Sequence, residues 1–247
     1  MGDGGRSALQ RCAIVKFIYT VIVLIGYGLG EMPMKLYNFF RSSASYRLRI
    51  ALALKGLDHE YVPVDLLAGE HAGQAYRRLN PQGFVPALEA DGQVLIQSPA
   101  IIEWLEERYP QPALLPGDAG ERAWVRAIAS IVACDIHPLH NGRILAHLEK
   151  WPDGGDARVA HWCRTWIGAG FDAIEELLLA RASAGPYCLG NTVTVADVYL
   201  VPQVASSVRL GIGMAAWPRI RDVASACAEL DAFKQALPAR QIDAPAA

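Results

Sequence analysis

Three serines beside a predicted helix start are the residues whose spacing first suggests chemistry. Ser42, Ser43 and Ser45 follow a short apolar run and open the basic, apolar-rich segment that continues to residue 55. The N-terminus of a helix exposes unpaired N–H groups and carries a partial positive charge, so it attracts anions. The hydroxyls could donate hydrogen bonds to a bound anion, or they could simply cap the helix. The spacing alone leaves both interpretations open.

A second polar helix start lies at Gln97-Ser98-Pro99. We expect Ser98 to cap this helix and Pro99 to occupy its first position. Ahead of it, Val85-Pro86 falls inside a predicted strand, where a proline removes a ladder donor and is normally confined to an edge. Both stretches therefore carry backbone features that need a structural or a functional explanation.

Five further polar side chains are candidates for contacting an acidic ligand. They are Arg41, His137, Asn141, Arg143 and Arg209. Arg41 directly precedes the serines, and Pro138 should kink the long helix that carries His137. His137 and Asn141 share a helix face if helical geometry continues through that kink. Arg209 ends a predicted helix, where a cation also interacts favourably with the helix dipole, so a structural explanation stays open.

The first predicted helix, residues 45–55, has apolar residues on its buried side and stops at Gly56. Its two arginines, Arg47 and Arg49, are expected to make salt bridges or surface contacts. The sequence gives them no catalytic role.

The predicted elements divide the chain into two parts. Strands are expected at 35–39, 59–64, 85–89 and 93–96, and helices at 45–55, 74–79 and 98–109. The order βαβαββα predicts an α/β unit with mixed strand directions. Beyond a linker near residue 117, the strand signals nearly vanish, and helices are expected at 121–150, 157–180 and 195–210. We therefore predict an α/β domain at 34–116 and an all-helical domain at 121–240.

Composition excludes several classes of function. The chain has 247 residues and a net charge of −2, so nucleic acid is not expected as a partner. Its five cysteines are dispersed and odd in number, which indicates reduced core thiols in a cytoplasmic protein rather than a disulfide framework or a zinc site. The metal motif HExxH and the nucleotide motifs GxxxxGK and GxGxxG are absent from the sequence.

Residues 1–33 require separate treatment. Their apolar run, 17–25, is short for a membrane span, and no A-x-A cleavage site follows it. We interpret this segment as an extension outside the fold, with Met34 as the natural start. A targeting segment or a membrane anchor is the alternative interpretation, and an ordered part of the fold is a third.

Several motifs together resemble one family. Residues 42–52 read SSASYRLRIAL, which is similar to the signature SSCSxRVRIAL of zeta-class glutathione transferases, the maleylacetoacetate and maleylpyruvate isomerases. The stretches LALKG, LNPQGFVPALE, LIQSPAIIEWLEE, CDIHPLHN and TVADVYLVPQV also look like that family. The resemblance runs from Met34 to near Asp243. One departure is Ala44, which stands where the family usually has cysteine.

The resemblance implies a glutathione transferase architecture, with a thioredoxin-like glutathione-binding domain followed by an all-α substrate domain. It implies that Ser42 holds the glutathione thiolate, with Ser43 and Ser45 as supports. It further implies that the peptide bond before Pro86 is cis and that the backbone of Val85 pairs with the cysteinyl part of glutathione. Gln97 and Ser98 would hold the γ-glutamyl carboxylate. His71 would contact the glycyl end of glutathione, or it is only an exposed loop residue. The remaining glutathione contacts implied are His137, Asn141 and Arg143.

The activity implied is a glutathione-dependent cis–trans isomerisation of maleylacetoacetate or maleylpyruvate to the fumaryl product. Arg41 and Arg209 would bind the two carboxylates of the substrate, with Arg143 as a third candidate. His137 or the arginines would stabilise the enolate charge. The alternatives are a transferase that conjugates or dehalogenates small haloacids, and a glutathione-binding module without catalysis. A homodimer is expected by family analogy, and membrane association is not.

Overall fold

The computed structural model describes residues 34–152, 155–181 and 184–245. Every statement about the structure concerns these residues. The extension predicted at 1–33, with Cys12, lies outside them. Among the helices of the described ranges, none is both long enough and apolar enough to cross a membrane.

The first part of the chain is a four-stranded mixed sheet with helices. Its elements are β1 (Met34–Asn38), α1 (Ser43–Leu54), β2 (His59–Pro63), α2 (Gln74–Leu79), β3 (Ala87–Ala90), β4 (Gln93–Ile96) and α3 (Ser98–Arg108). The strand order is β2-β1-β3-β4. Strand β1 pairs parallel with β2 and antiparallel with β3, and β3 pairs antiparallel with β4. The predicted order βαβαββα is confirmed.

Helix α1 is buried along almost its whole length, because it is covered on several sides. It packs against α3 and against two helices of the second part of the chain. Leu48, Ile50 and Leu52 are completely buried in a core that also contains Leu36 of β1 and Ile128. Burial of such side chains contributes about 1.5–3 kcal/mol each. The core is continuous between the two parts, so the serines at the start of α1 have a fixed position.

The second part is helical. Its elements are α4 (Ala119–Ser130), α5 (Gly142–Glu149), α6 (Asp156–Arg181), α7 (Val195–Arg209), α8 (Pro218–Ala228) and α9 (Asp231–Ala236). A capping box of Thr194 and Asp197 fixes the start of α7.

The long helix predicted at 121–150, with a kink at Pro138, is instead several separate helical segments. Helix α4 ends at Ser130 and passes into a π-helix at Ile131–Ile136 and a 3₁₀-helix at His137–His140. Helix α5 then begins after Asn141. Pro138 explains the interruption, because it lacks an N–H group and cannot continue the helical hydrogen bonding. His137 and Asn141 therefore do not lie one turn apart on the same helix.

After α9 the chain returns to the first part and contacts the loop between β1 and α1. The Asp243 carboxylate accepts a hydrogen bond from the Phe40 N–H at 2.9 Å and another from the Tyr61 hydroxyl. The Arg49 guanidinium donates to the carbonyls of Phe40 and Ala236. Arg49 is only 4% exposed, so the prediction of a surface contact is wrong for it.

Candidate functional site

A cleft of about 690 Å³ lies where the β1–α1 loop, the loop before β3 and the start of α3 face the segment around His137 and the end of α7. Such a volume is typical of a small-molecule site. The predicted site residues that line it are Arg41, Ser42, Ser43, His71, Val85, Pro86, Gln97, Ser98, His137, Asn141, Arg143 and Arg209. Ser45 is the one predicted site residue whose side chain does not line the cleft.

Ser42 is the N-cap of α1. Its Oγ accepts a hydrogen bond from the Ser45 N–H at 3.2 Å, so the capping interpretation is confirmed. The same hydroxyl lines the cleft and still has its own hydrogen to donate, because a hydroxyl is both acceptor and donor. Capping and anion binding at Ser42 are therefore compatible.

Ser43 joins the two parts of the chain across the cleft. Its Oγ lies 3.1 Å from Nδ1 of His137, and both residues line the cleft. Burial lowers the pKa of His137 well below its usual value, and the positive charge of Arg47 and the nearby His140 lower this pKa further. The imidazole is consequently neutral at pH 7, with one ring nitrogen able to accept a hydrogen bond and one able to donate.

Ser45 and Ala44 complete the helix start. Ser45 is completely buried, and its Oγ has no hydrogen-bond partner among the described residues. Its contribution to the site is its N–H bond to Ser42. Ala44 lines the cleft, so the position at which the family usually has cysteine carries no sulfur in this protein.

The peptide bond between Val85 and Pro86 is cis, and both residues line the cleft. They precede β3, which begins at Ala87, so the predicted strand start at 85 is wrong by two residues. Pro86 therefore removes no donor from the ladder of β3. This cis segment therefore lies at the cleft, directly ahead of the ladder of β3.

The start of α3 differs from the prediction. Gln97 occupies the N-cap position with φ 69°, makes no side-chain cap, and is followed by Ser98 as the first helical residue. Ser98 is therefore not the cap, and its Oγ accepts a hydrogen bond from Nη1 of Arg47 at 3.4 Å. Arg47 is 1% exposed and lies over the Tyr199 ring at 4.7 Å, so its prediction as a surface or salt-bridge residue is also wrong.

The loop between α2 and β3 closes one side of the cleft beside His71. The hydroxyl of Tyr76 and the amide of Asn80 both donate to the Phe84 carbonyl at 2.7 Å. Gly83 has φ +65°, and a Cβ there would lie 2.8 Å from the His71 carbonyl oxygen. The loop can approach His71 only because residue 83 is glycine. Nδ1 of His71 is buried and has no partner among the described residues.

Three of the predicted arginines also line the cleft, namely Arg41, Arg143 and Arg209. Arg209 donates to Oγ of Ser206 at 3.1 Å and to the Arg41 carbonyl at 3.4 Å. Partial burial and the positive charge of Arg41 lower the pKa of Arg209. Arg143 lies over the Phe84 ring with 4.8 Å between Cζ and the ring centroid. Among the described residues that line the cleft there is no Asp or Glu, so the arginines attract anionic ligands.

Sequence reasoning missed part of the lining. The residues concerned are Phe39, Arg47, Asn80, Gln82, Phe84, His140 and Ser206. His140 lies three residues after His137, and its Nε2 is 3.0 Å from Oε1 of the buried Gln203. The repeated histidine in HPLH was a signal for His140. A signal for Ser206 was its position one turn before Arg209.

A thioredoxin-like α/β part, a helical part and an anion-attracting cleft between them define the glutathione transferase class. In agreement, a family model described as "Glutathione S-transferase, N-terminal domain" matches residues 41–108. The chain is 57% identical over 210 residues to a maleylpyruvate isomerase of a Ralstonia species, covering 85% of this chain and 99% of that protein. It is 53% identical over 217 residues to a maleylacetoacetate isomerase of Pseudomonas aeruginosa, covering 87% of this chain and 100% of that protein.

Solved structures agree with these relatives. A holo structure of maleylpyruvate isomerase, described as a bacterial zeta-class glutathione transferase, has a TM-score of 0.84 and 56% identity over 85% of this chain and 100% of its own. A maleylacetoacetate isomerase of Methylobacterium extorquens, with bound malonate and glutathione, has a TM-score of 0.80 and 38% identity. The match covers 86% of this chain and 100% of that chain. The chain belongs to the zeta-class glutathione transferases, in the family of the maleylacetoacetate and maleylpyruvate isomerases.

Proposed function

We propose that this protein is a glutathione-dependent cis–trans isomerase of maleylacetoacetate or maleylpyruvate, which yields the fumaryl product. The observation that carries the proposal is a cleft in which a serine-capped helix N-terminus faces several arginines and, among the described residues, no carboxylate. Family membership at 53–57% identity to named isomerases supports it. Both substrates carry two carboxylates, so they match the charge of the cleft.

Glutathione fits the residues present. The cleft is large enough for a tripeptide, and the buried Nδ1 of His71 offers a hydrogen-bonding atom without a partner. We assign Val85 to the cysteinyl backbone, Gln97 and Ser98 to the γ-glutamyl carboxylate, and His71 to the glycyl end. Asn141 and Arg143 lie across the cleft, where they would contact the same tripeptide. When bound, glutathione would supply a thiolate able to add reversibly to the cis double bond of the substrate.

The main task of Ser42 is to keep that sulfur ionised. A thiol with a pKa of about 8.5 is mostly protonated at pH 7, and lowering its pKa by two units requires about 2.7 kcal/mol. A hydroxyl that donates to a charged acceptor contributes about 1.5–3 kcal/mol. The N-terminus of α1 adds about 0.3–1 kcal/mol. Together these contributions suffice without a cysteine at position 44.

The arginines bind the substrate. Guanidinium groups bind carboxylates through two parallel hydrogen bonds, which fixes orientation as well as position. We assign Arg41 and Arg209 to the two carboxylates, because their charges lie close enough to affect each other. Arg143 is the third candidate.

His137 is assigned to the charge that develops on the substrate during the reaction. Its imidazole is neutral, so it can donate one hydrogen bond to an oxygen that becomes negative. The bond between Nδ1 and Ser43 fixes the orientation of the ring. Ser43 therefore supports His137, and Ser45 supports Ser42 through its N–H group.

We also infer a cytoplasmic location and a homodimer. The four described cysteines are all free, which is typical of a reducing compartment. The homodimer rests on analogy within the family.

A single assay tests the activity. Purified protein is mixed with the cis-diketo acid and substoichiometric glutathione, while isomer conversion and free thiol are followed together. Many turnovers with the thiol intact are expected. Thiol loss in step with substrate loss would instead indicate conjugation, and neither change would indicate a binding module. The same assay with a small haloacid tests dehalogenation, which the arginines would also accommodate.

A further inference from the structure

A buried arginine without a carboxylate partner lies beside the cleft. Arg47 lines the cleft, yet it is only 1% exposed. Burial lowers its pKa to about 10, so the guanidinium remains charged at pH 7. No Asp or Glu among the described residues forms an ion pair with it. Within the described part of the chain, the contacts that compensate its charge are the Tyr199 ring and the hydroxyl of Ser98.

Two of its nitrogens are also unsatisfied. Nε and Nη2 of Arg47 are buried and have no hydrogen-bond partner in the described ranges. Buried charges in proteins are normally paired, because removal from water is costly unless an opposite charge compensates it. An orphaned guanidinium beside an arginine-rich cleft therefore indicates that the compensating charge belongs to a ligand.

The comparison with Arg49 shows that burial alone does not explain this state. Arg49 lies two residues further along the same helix and is buried to a similar degree. Its guanidinium donates to Oδ1 of Asn38 and to the carbonyls of Phe40 and Ala236. Arg49 thus has the full set of partners typical of a structural arginine, whereas Arg47 does not.

The bond to Ser98 shows which hydroxyl Arg47 acts on. Nη1 of Arg47 donates to Oγ of Ser98, so the Ser98 hydroxyl keeps its own hydrogen to donate, either to the Tyr199 hydroxyl beside it or to a ligand in the cleft. Ser98 is the first residue of α3, an 11-residue helix whose N-terminus opens onto the cleft. A hydroxyl polarised by a cation, at a helix N-terminus, is an anion-binding group.

We propose that Arg47 is a positioning residue for glutathione, which acts through Ser98 on the γ-glutamyl carboxylate. This inference rests on the proposed use of glutathione. Arg47 orients the Ser98 hydroxyl towards the carboxylate and supplies the buried positive charge that balances it. The carboxylate in turn compensates the guanidinium, so the site is electrostatically complete only with the tripeptide bound.

The test measures binding by calorimetry with two ligands. One is glutathione, and the other is 4-aminobutyryl-Cys-Gly, which lacks only the γ-glutamyl α-carboxylate. For Arg47→Met we expect glutathione to bind about 30-fold more weakly, as for loss of a charge-assisted hydrogen bond, and the analogue to bind as it does to the wild type. Arg47→Lys, which keeps the charge, should recover most of the preference for glutathione. In Ser98→Ala the preference for glutathione over the analogue should fall. Adding Arg47→Met to this variant should weaken glutathione binding little further.

Arg49→Met is the matched control. It removes a buried arginine from the same helix, so it should lower stability without changing the ratio of the two affinities. An unchanged ratio in Arg47→Met, or a change confined to the KM of the diketo acid, overturns the inference. If the wild type binds neither ligand, the proposed function fails instead. Should Arg47→Met not fold, NMR of the labelled wild type decides: the Arg47 Nε resonance should shift with glutathione and stay unchanged with the analogue, and equal shifts refute the inference.

Discussion

Replacing Ser42 with alanine should separate two roles of one hydroxyl. Its oxygen accepts from the Ser45 N–H at 3.2 Å, and its hydrogen is assigned to the glutathione thiolate. Loss of the cap costs about 1 kcal/mol of the free energy of unfolding. Loss of the donor removes about 1.5–3 kcal/mol of thiolate stabilisation, which raises the pKa of the bound thiol by about 1–2 units. At pH 7 the isomerisation rate should therefore fall about tenfold.

The two losses are measured independently. Urea denaturation gives the free energy of unfolding, and the ultraviolet absorbance of the thiolate in the complex, followed against pH, gives the pKa of the bound thiol. Ser42→Asp is the matched variant, because aspartate is an equally good N-cap but only accepts hydrogen bonds. We expect Asp to preserve stability while raising the thiol pKa above that of the alanine variant, since like charges repel.

One result would refute the reasoning. If Ser42→Ala loses stability but leaves the thiol pKa unchanged, the hydroxyl is only a cap. The thiolate would then be held by Ser43 or by the N–H groups at the start of α1.

Three further predictions follow from the site. Arg209→Met should lower kcat/KM about 10- to 100-fold by raising the KM for the diketo acid. Arg221→Met, which removes an exposed arginine paired with Asp222, is the control and should have no effect. Equal effects of the two substitutions would refute the assignment of Arg209 to a substrate carboxylate. Gly83→Ala should lower the free energy of unfolding by about 2 kcal/mol more than Gly92→Ala, measured in urea, because both have positive φ but only position 83 has a backbone atom within 4 Å. His137 and His140 have pKa values below the usual value of about 6.5 in the folded protein, so stability should be intact above pH 7 and fall on acidification below about 6.5, where only the unfolded chain binds protons. Urea midpoints at pH 7.5 and 5.5 check this. In His140→Gln, the free energy of unfolding should depend less steeply on pH.

Much of the fold could be predicted because its signals are local. The alternation of apolar residues, the turn at Asp91-Gly92 and the sequence Thr194–Asp197 each depend on neighbours in the chain. Helix α2 and strand β4 agree with the predicted bounds. The break at Pro138 was predicted as a kink, but the π-helical stretch before it was not. A change from α to π geometry depends on tertiary packing, which short-range patterns do not record.

The site was predictable as a set of residues rather than as a set of contacts. Motif resemblance named twelve residues that line the cleft, and only Ser45 of the named residues does not. Arg47 and Arg49 were both misassigned, because a charged residue in an amphipathic helix is usually exposed. Their burial depends on α7 and on the segment after α9, which lie far away in sequence. Long-range packing of this kind cannot be deduced from the residues around an arginine.

The bond between the Asp243 carboxylate and the Phe40 N–H has a consequence for biosynthesis. Its two ends are separated by 203 positions, so this tether of the loop that carries Arg41 cannot form on the ribosome until almost every described residue has been translated. The α/β part can acquire its sheet early, but its ligand loop is completed last. A nascent chain should therefore gain glutathione affinity only after release of the segment around Asp243, and a fragment ending before it should bind poorly even when folded.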